Sequence, residues 1–197
     1  MSFDPAFENI GMLFTPLAVI WGFCGGWSID LFLNRSTRSH KDVDVAILRR
    51  DQHLIFESLG HHGWTLEQAI KGTLQPFQED EFGTLPVHTI WCRHASFHPD
   101  LLALLLSESN EDPFLFRRDR SIQCPLAEAL VISSFGLPLL APAIVLLYKS
   151  NEPSSVGNHL DFQAALPQLN AHQRPWFLHA LSTCSPEQEW HAELAGP

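Results

Sequence analysis

The feature that most constrains this chain is a pair of aspartates two residues apart inside an aliphatic run. Asp42-Val43-Asp44-Val45-Ala46-Ile47-Leu48 reads as a strand, because branched side chains suit a pleated, half-buried surface. Side chains two apart on a strand share a face. Both carboxylates therefore point one way, while Val43, Val45 and Ile47 point the other way and bury. Two carboxylates on one face repel each other unless a cation lies between them, and a hard divalent ion such as Mg²⁺ is the natural occupant. Upstream, Phe23-Cys24-Gly25-Gly26-Trp27-Ser28 ends an apolar run with a glycine pair. That pair opens a predicted helix, and a helix N-terminus suits phosphate, although glycine serves a plain tight turn equally well. Together the two segments point to metal-assisted chemistry on a nucleoside triphosphate.

Charge narrows the partners. With 12 basic and 22 acidic residues the net charge is −10, which argues against a nucleic-acid substrate, whose binding rests on Lys and Arg neutralising phosphates. A cationic small molecule would be attracted instead; solubility alone would explain the same acidity. At 197 residues and 45% hydrophobic, the chain can build one large domain or two small ones. Cys24, Cys92, Cys124 and Cys184 form no C-x-x-C pair, which fits a reduced cytoplasmic setting better than disulfides or structural zinc. His94 and His98 have H-x-x-x-H spacing, but Pro99 follows at once and no Glu lies between them, so they and His61, His62 and His88 read as ordinary core and surface histidines. Met1-Ser2-Phe3-Asp4-Pro5 carries no basic segment of the kind that opens a secretory leader. Leu126 to Tyr148 is long enough to span a bilayer, but Gly136, Pro138 and Pro142 interrupt it. It reads as two buried helices joined by a Gly-Leu-Pro turn, with no membrane partner.

Along the chain, a helix is expected over Phe7 to Phe14, a buried strand over Leu17 to Phe23 and a helix over Trp27 to Leu33. After the aspartate strand, Asp51 caps a helix that Gly60 ends. Further strands are expected at Trp64 to Ile70, Thr73 to Phe77, Val87 to Arg93, Leu101 to Leu106 and Phe114 to Phe116, with an acidic loop at Gln78-Glu79-Asp80-Glu81. Beyond Ile122 the pattern turns helical. Asn158 is a candidate cap, Pro167 a stop, and Asn170 with Gln173 and Ser185 with Gln188 have capping-box spacing. The predicted architecture is α+β: a mixed sheet flanked by helices over residues 1–122, then a C-terminal helical domain over 123–197.

These residues carry a resemblance. Gly25-Gly26-Trp27-Ser28-Ile29-Asp30, followed by Thr37-Arg38-Ser39-His40-Lys41-Asp42-Val43-Asp44, resembles the antibiotic nucleotidyltransferases. Aminoglycoside 2″-adenylyltransferases and lincosamide nucleotidyltransferases carry the pattern most densely. Trp91-Cys92-Arg93, Phe116-Arg117-Arg118-Asp119, Leu146-Leu147-Tyr148-Lys149 and Asp161-Phe162 extend it over nearly the whole chain. The resemblance implies a polymerase-β-like nucleotidyltransferase core whose cleft a helical domain closes. It implies Mg²⁺ at Asp42 and Asp44, ATP or another triphosphate as co-substrate, and in-line transfer of a nucleotidyl group to a hydroxyl. Backbone amides near Gly25, Gly26 and Trp27 would hold the terminal phosphates, and Lys149 would touch the triphosphate.

Arg35, Arg38 and Lys41 either neutralise triphosphate charge or pair with nearby acids. Arg117-Arg118 pins the sheet to the helical domain rather than binding nucleotide. Asp30 is read as a solvent-facing helix residue or a partner of Arg35 or Arg38. Trp176, Phe177 and Trp190 are read as core. The superfamily usually sets a third carboxylate on a later strand, yet neither Val87 to Arg93 nor Leu101 to Leu106 contains an acid. Asp100 and Glu108, which flank the second run, are the nearest candidates for a catalytic role, with Glu81 behind them. The acceptor expected is a small molecule, such as an amine-bearing aminoglycoside-like compound. A weakened, nucleotide-binding regulator and a protein-modifying enzyme remain open alternatives, and a homodimer is compatible with the family.

Overall fold

Apolar runs too short for helices assemble the strands of this chain into a single mixed sheet. The structure is a computed structural model that describes residues 4–70, 72–77, 81–109 and 111–195. In chain order the elements are α1 (Ala6–Phe14), β1 (Trp21–Phe23), α2 (Gly25–Leu33), β2 (Val43–Leu48), α3 (Gln52–His61), β3 (Thr65–Ile70) and β4 (Thr73–Pro76). They continue with β5 (Thr89–Arg93), β6 (Leu101–Ser109), β7 (Pro113–Leu115), β8 (Gln123–Pro125), α4 (Leu126–Ala129), β9 (Leu130–Ile132) and β10 (Pro138–Leu140). Four helices close the chain: α5 (Pro142–Lys149), α6 (Val156–Ala165), α7 (Gln173–Cys184) and α8 (Trp190–Ala195). The strand order is β4-β3-β5-β6-β2-β1-β10-β9, with β7 on β6 and β8 on β7. Pairs β2–β6 and β1–β10 are parallel, and β2 runs antiparallel to β1.

Each face of the sheet has its own core. Val43, Val45 and Ile47 of β2 bury with Leu102 and Leu104 of β6 against Phe7, Ile10 and Phe14 of α1 and Ile55 and Leu59 of α3. The opposite face carries Asp42, Asp44 and Ala46. Ala46 there joins Phe114, Phe116, Ile144, Leu147, Phe162, Phe177 and Trp190, so the C-terminal helices cover the side on which the aspartates stand. Phe162 stacks on Trp190 at 4.1 Å and 6°, which holds α6 to α8. Phe177 is fully buried beside them and Trp176 packs at the margin, its indole N–H donating to the Gln123 carbonyl at 3.2 Å.

Leu126 to Tyr148 departs from its expected two helices. Only α5 is a full helix. The first half is the single turn α4 followed by the hairpin β9–β10, in which Ser133 N–H donates to the Leu137 carbonyl at 2.8 Å and Gly136 takes φ +78°. β10 then pairs with β1 and extends the sheet. A short continuous apolar run looks the same as a buried strand or a buried helix, and here long-range pairing with β1 decides. No helix among the described residues is long and apolar enough to cross a membrane.

Smaller differences follow the same logic. Within Leu17 to Phe23 only β1 is strand, and Gly60 lies inside α3. Asn158 also lies inside its helix, where its side-chain amide donates to the Lys149 and Glu152 carbonyls at 3.3 and 3.0 Å. Asn170 and Gln173 do form a reciprocal box, with Gln173 N–H to Asn170 Oδ1 at 2.9 Å and Asn170 N–H to Gln173 Oε1 at 3.2 Å. Ser185 and Gln188 do not; Gln188 Oε1 instead accepts from Trp190 N–H at 2.7 Å. Of the acidic loop, residues 78–80 lie outside the described residues.

Candidate active site

Asp42 lies just before β2 and Asp44 inside it, both half-buried on the face turned toward the C-terminal helices. Their backbones are fixed from α2. Cys24 N–H donates to the Asp44 carbonyl at 2.9 Å, and the Trp27 indole N–H donates to the Asp42 carbonyl at 2.6 Å. Trp27 is itself clamped between Phe7 and His40, each ring 4.7 Å away. The glycine pair has a packing reason. Gly25 takes φ +61°, and a Cβ there would collide with the Asp44 carboxylate; a Cβ on Gly26 would collide with Arg38 and His40. The two glycines let a carboxylate and a guanidinium approach the first turn of α2 directly.

Burial pushes the Asp44 carboxyl up to about 6, with the neighbouring Asp42 charge adding to it and Lys149, His40 and Arg38 opposing. A carboxylate held this far from its ordinary value beside another carboxylate is a strained ionised pair. A divalent cation would relieve it, and Mg²⁺ commonly uses only one or two carboxylates and completes its shell with water and substrate phosphates. The two residues fit such an ion. Cys24, buried beside them, has a thiol pushed well up by burial, with Asp44 adding to it.

Between the motifs the loop is organised by Asp30, which is 1% exposed. It accepts from Thr37 N–H at 2.9 Å, Thr37 Oγ1 at 2.5 Å and His40 Nε2 at 2.8 Å. Asp30 is therefore neither solvent-facing nor paired with Arg35 or Arg38, contrary to expectation. Arg38 reaches across to α6 and makes a two-pronged bond to Asp161, 2.9 Å on each side. Lys149 Nζ lies 2.8 Å from the same carboxylate and donates to Asn158 Oδ1 at 3.2 Å. Burial alone would raise the Asp161 pKa, but Arg38 and Lys149 outweigh it and hold it below the usual range. Both cations expected at the triphosphate thus share one buried counter-charge from the C-terminal helices. Sequence reasoning did not single out Asp161 as a site residue. Its only signal was an acid beside Phe162 in a segment resembling the family.

The structure does not bring Asp100 or Glu108 to the pair. Asp44 is paired in register with Ala103 and Ala46 with Leu105, while Trp91 of β5 lies opposite Ala103. The positions flanking Asp44 on its own face are thus neutral. Asp100 is exposed in the loop before β6. Glu108 alternates with Leu104 and Leu106 onto the opposite face and accepts from Arg49 Nε at 2.6 Å. Glu81 accepts from Gln68 at 3.2 Å, toward the β3 side of the sheet. Among the described residues no group of three His, Cys, Asp or Glu side chains could hold a metal.

A cavity of about 320 Å³ opens beside this site, running from Cys24, Gly25 and Ala46 past Lys149 and Tyr148 to His88, Arg117 and Arg118. Arg117 and Arg118 both lie over the Tyr148 ring, at 5.8 and 5.6 Å from its centre. Arg117 N–H donates to the Tyr148 hydroxyl at 3.4 Å and Arg118 Nη1 to the Tyr148 carbonyl at 3.0 Å. This joins the segment after β7 to the end of α5.

Known proteins share this layout. A family model described as aminoglycoside-2″-adenylyltransferase matches residues 8–100. The lincosamide resistance protein of Staphylococcus haemolyticus is 24% identical over 78 residues, which is 40% of this chain and 48% of that protein. The chain's match thus spans about half the length of that curated relative. The solution structure of the antibiotic-resistance factor ANT(2″)-Ia superposes with a TM-score of 0.63 at 14% identity, covering 95% of each chain. The lincomycin-bound structure of the lincosamide adenylyltransferase LnuA superposes with a TM-score of 0.59 at 14% identity, covering 82% of this chain and 95% of that one. The fold is that of the polymerase-β-like nucleotidyltransferases. These distant matches support the superfamily and single out no particular member of it.

Proposed function

We propose that this chain is an Mg²⁺-dependent nucleotidyltransferase that moves a nucleoside monophosphate, AMP in the first instance, from a triphosphate to a hydroxyl of a small molecule. One observation carries the reading: Asp42 and Asp44 stand on one face against the glycine turn of α2, with Asp44 held up to about 6 by burial and by its neighbour. In the reaction the acceptor oxygen attacks the α-phosphorus, the bond to the bridging oxygen breaks, and pyrophosphate leaves. A divalent ion bound by the pair would neutralise charge on the phosphates and acidify the acceptor hydroxyl. Arg38 and Lys149, which share the Asp161 carboxylate, would offer positive charge to the phosphates. The C-terminal helices pack on the same face of the sheet and would partly shield the reacting atoms from water.

A second reading, a nucleotide-binding protein that turns its ligand over weakly or not at all, is favoured by one specific observation. Across the sheet from Asp44 stand Ala103 of β6 and, one strand further, Trp91 of β5, so no carboxylate there takes the acceptor's proton. Calorimetric titration with ATP, GTP, CTP and UTP in the presence of Mg²⁺ tests both readings. Binding that disappears in Asp42→Asn/Asp44→Asn is expected. Pyrophosphate release with an acceptor then separates the transferase from the binder, and wild-type protein that binds no triphosphate sinks both.

A further inference from the structure

The chain as a whole is acidic, yet the cavity lined by Gly25, against which the Asp44 carboxylate packs, also carries two exposed, adjacent arginines. Arg117 and Arg118 are adjacent, and neither forms an ion pair with a carboxylate among the described residues. Asp119, the next residue, bonds Ser121 instead, through its N–H at 2.9 Å and its Oγ at 2.6 Å. Arg49, which reaches His88 Nδ1 at 3.3 Å, is answered by Glu108. The acid lining the cavity is Glu152, exposed at its rim.

Two neighbouring groups register the field. The basicity of His88 is held below its usual range by burial, then by Arg117 and Arg49. That of Arg118 is lowered by burial and by Arg117. Like charges crowded at the wall of a cavity cost free energy until an anion answers them. Guanidinium forks match phosphate and carboxylate oxygens in geometry as well as charge. The guanidinium groups lie 5.8 and 5.6 Å from the Tyr148 ring centre, and Arg118 Nη1 also donates to the Tyr148 carbonyl, which reduces the side-chain freedom lost when an oxyanion arrives.

We propose that Arg117, Arg118 and His88 form an oxyanion subsite in the cavity whose wall includes Gly25, the residue against which the Asp44 carboxylate packs. It takes a phosphate or carboxylate group of the ligand whose reacting end lies at the aspartates. The proposal deepens the nucleotidyltransferase reading, on which it rests for the second substrate, and where the acceptor supplies the oxyanion it turns the acceptor expected from overall charge around. An amine-bearing compound would meet two arginines here, whereas an acidic small molecule would be held. The oxyanion has two sources, the phosphates of the nucleotide or an acid group on the acceptor.

Calorimetry with inorganic tripolyphosphate in the absence of metal is the test. Wild type is expected to bind it, Arg117→Gln/Arg118→Gln to bind at least tenfold more weakly, and Arg117→Lys/Arg118→Lys to fall between the two. The lysine pair guards against misfolding, because it too loses the fork and part of the stacking but keeps the charge. Asp42→Asn/Asp44→Asn should bind tripolyphosphate undiminished. If Mg·ATP affinity falls in step in the glutamine pair, the nucleotide supplies the oxyanion. If Mg·ATP affinity is unchanged, the acceptor supplies it. No tripolyphosphate binding by wild type, or equal binding by the glutamine pair, overturns the subsite while leaving the Mg·ATP result of the aspartate variants to judge the transferase reading separately.

Discussion

At the scale of single residues, what looked like a phosphate loop is first a device for close approach. Gly25 is needed because its φ of +61° and its missing side chain make room for the Asp44 carboxylate. Left-handed backbone costs a non-glycine residue on the order of 1 kcal/mol, and an added methyl group here must also push the Asp44 carboxylate aside. Gly25→Ala is therefore expected to lower stability by about 2 kcal/mol and to abolish Mg²⁺-dependent triphosphate binding, as read by urea unfolding and by calorimetry on the same preparation. Normal binding in the alanine variant would show that Asp44 does not need its present place. The need for glycine was legible in the sequence, but the reason was not, because Asp44 is distant in the chain and only the β1–β2 pairing sets it against the α2 turn.

Among elements, the decisive contact is the one α6 makes with the rest of the site. Asp161 is fully buried and carries one negative charge against the two positive charges of Arg38 and Lys149. Removing one member of a buried ion cluster leaves the others desolvated and unanswered, typically at 3–5 kcal/mol. The partial exposure of Arg38 reduces that figure. Asp161→Asn should thus cost about 2–3 kcal/mol, seen as a lower urea midpoint at unchanged slope. A midpoint like that of wild type would mean that packing of Phe162 alone holds α6.

Elements also differ in how visible they were. The aspartate strand, the helix after the glycines and the Asn170–Gln173 box were readable because each rests on a local pattern: alternation, a breaker, a reciprocal cap. The hairpin β9–β10 was not, since its apolar residues alternate with nothing and its identity comes from pairing with β1. Asp30 was misread for a related reason. An acid in an apolar helix is ambiguous until its partners are known, and those partners, Thr37 and His40, sit in a loop without periodicity.

For the molecule as a whole, the proposed metal site predicts that stability depends on pH and on Mg²⁺ together. Asp44 binds its proton up to about pH 6 in the folded chain, against 3.8 as its ordinary value. Between these values the folded state holds more protons than the unfolded one, so unfolding free energy falls as pH rises through this window and levels off above it. The two-unit gap corresponds to about 3 kcal/mol at most. Asp161 works in the opposite sense at lower pH, because its lowered pKa favours the folded state until acid protonates it. Stability should therefore peak near the ordinary carboxylate range and decline toward neutrality, by several degrees of melting temperature for a chain of this size. Millimolar Mg²⁺ should reverse the decline at pH 7.5 and do little at pH 4.5, where protonated Asp44 no longer competes for the ion. Asp44→Asn should flatten the slope and remove the metal response together. Melting curves at the two pH values, with and without Mg²⁺, decide it. A metal response of equal size at both pH values, or one that survives in Asp44→Asn, would place the bound cation somewhere other than on this pair.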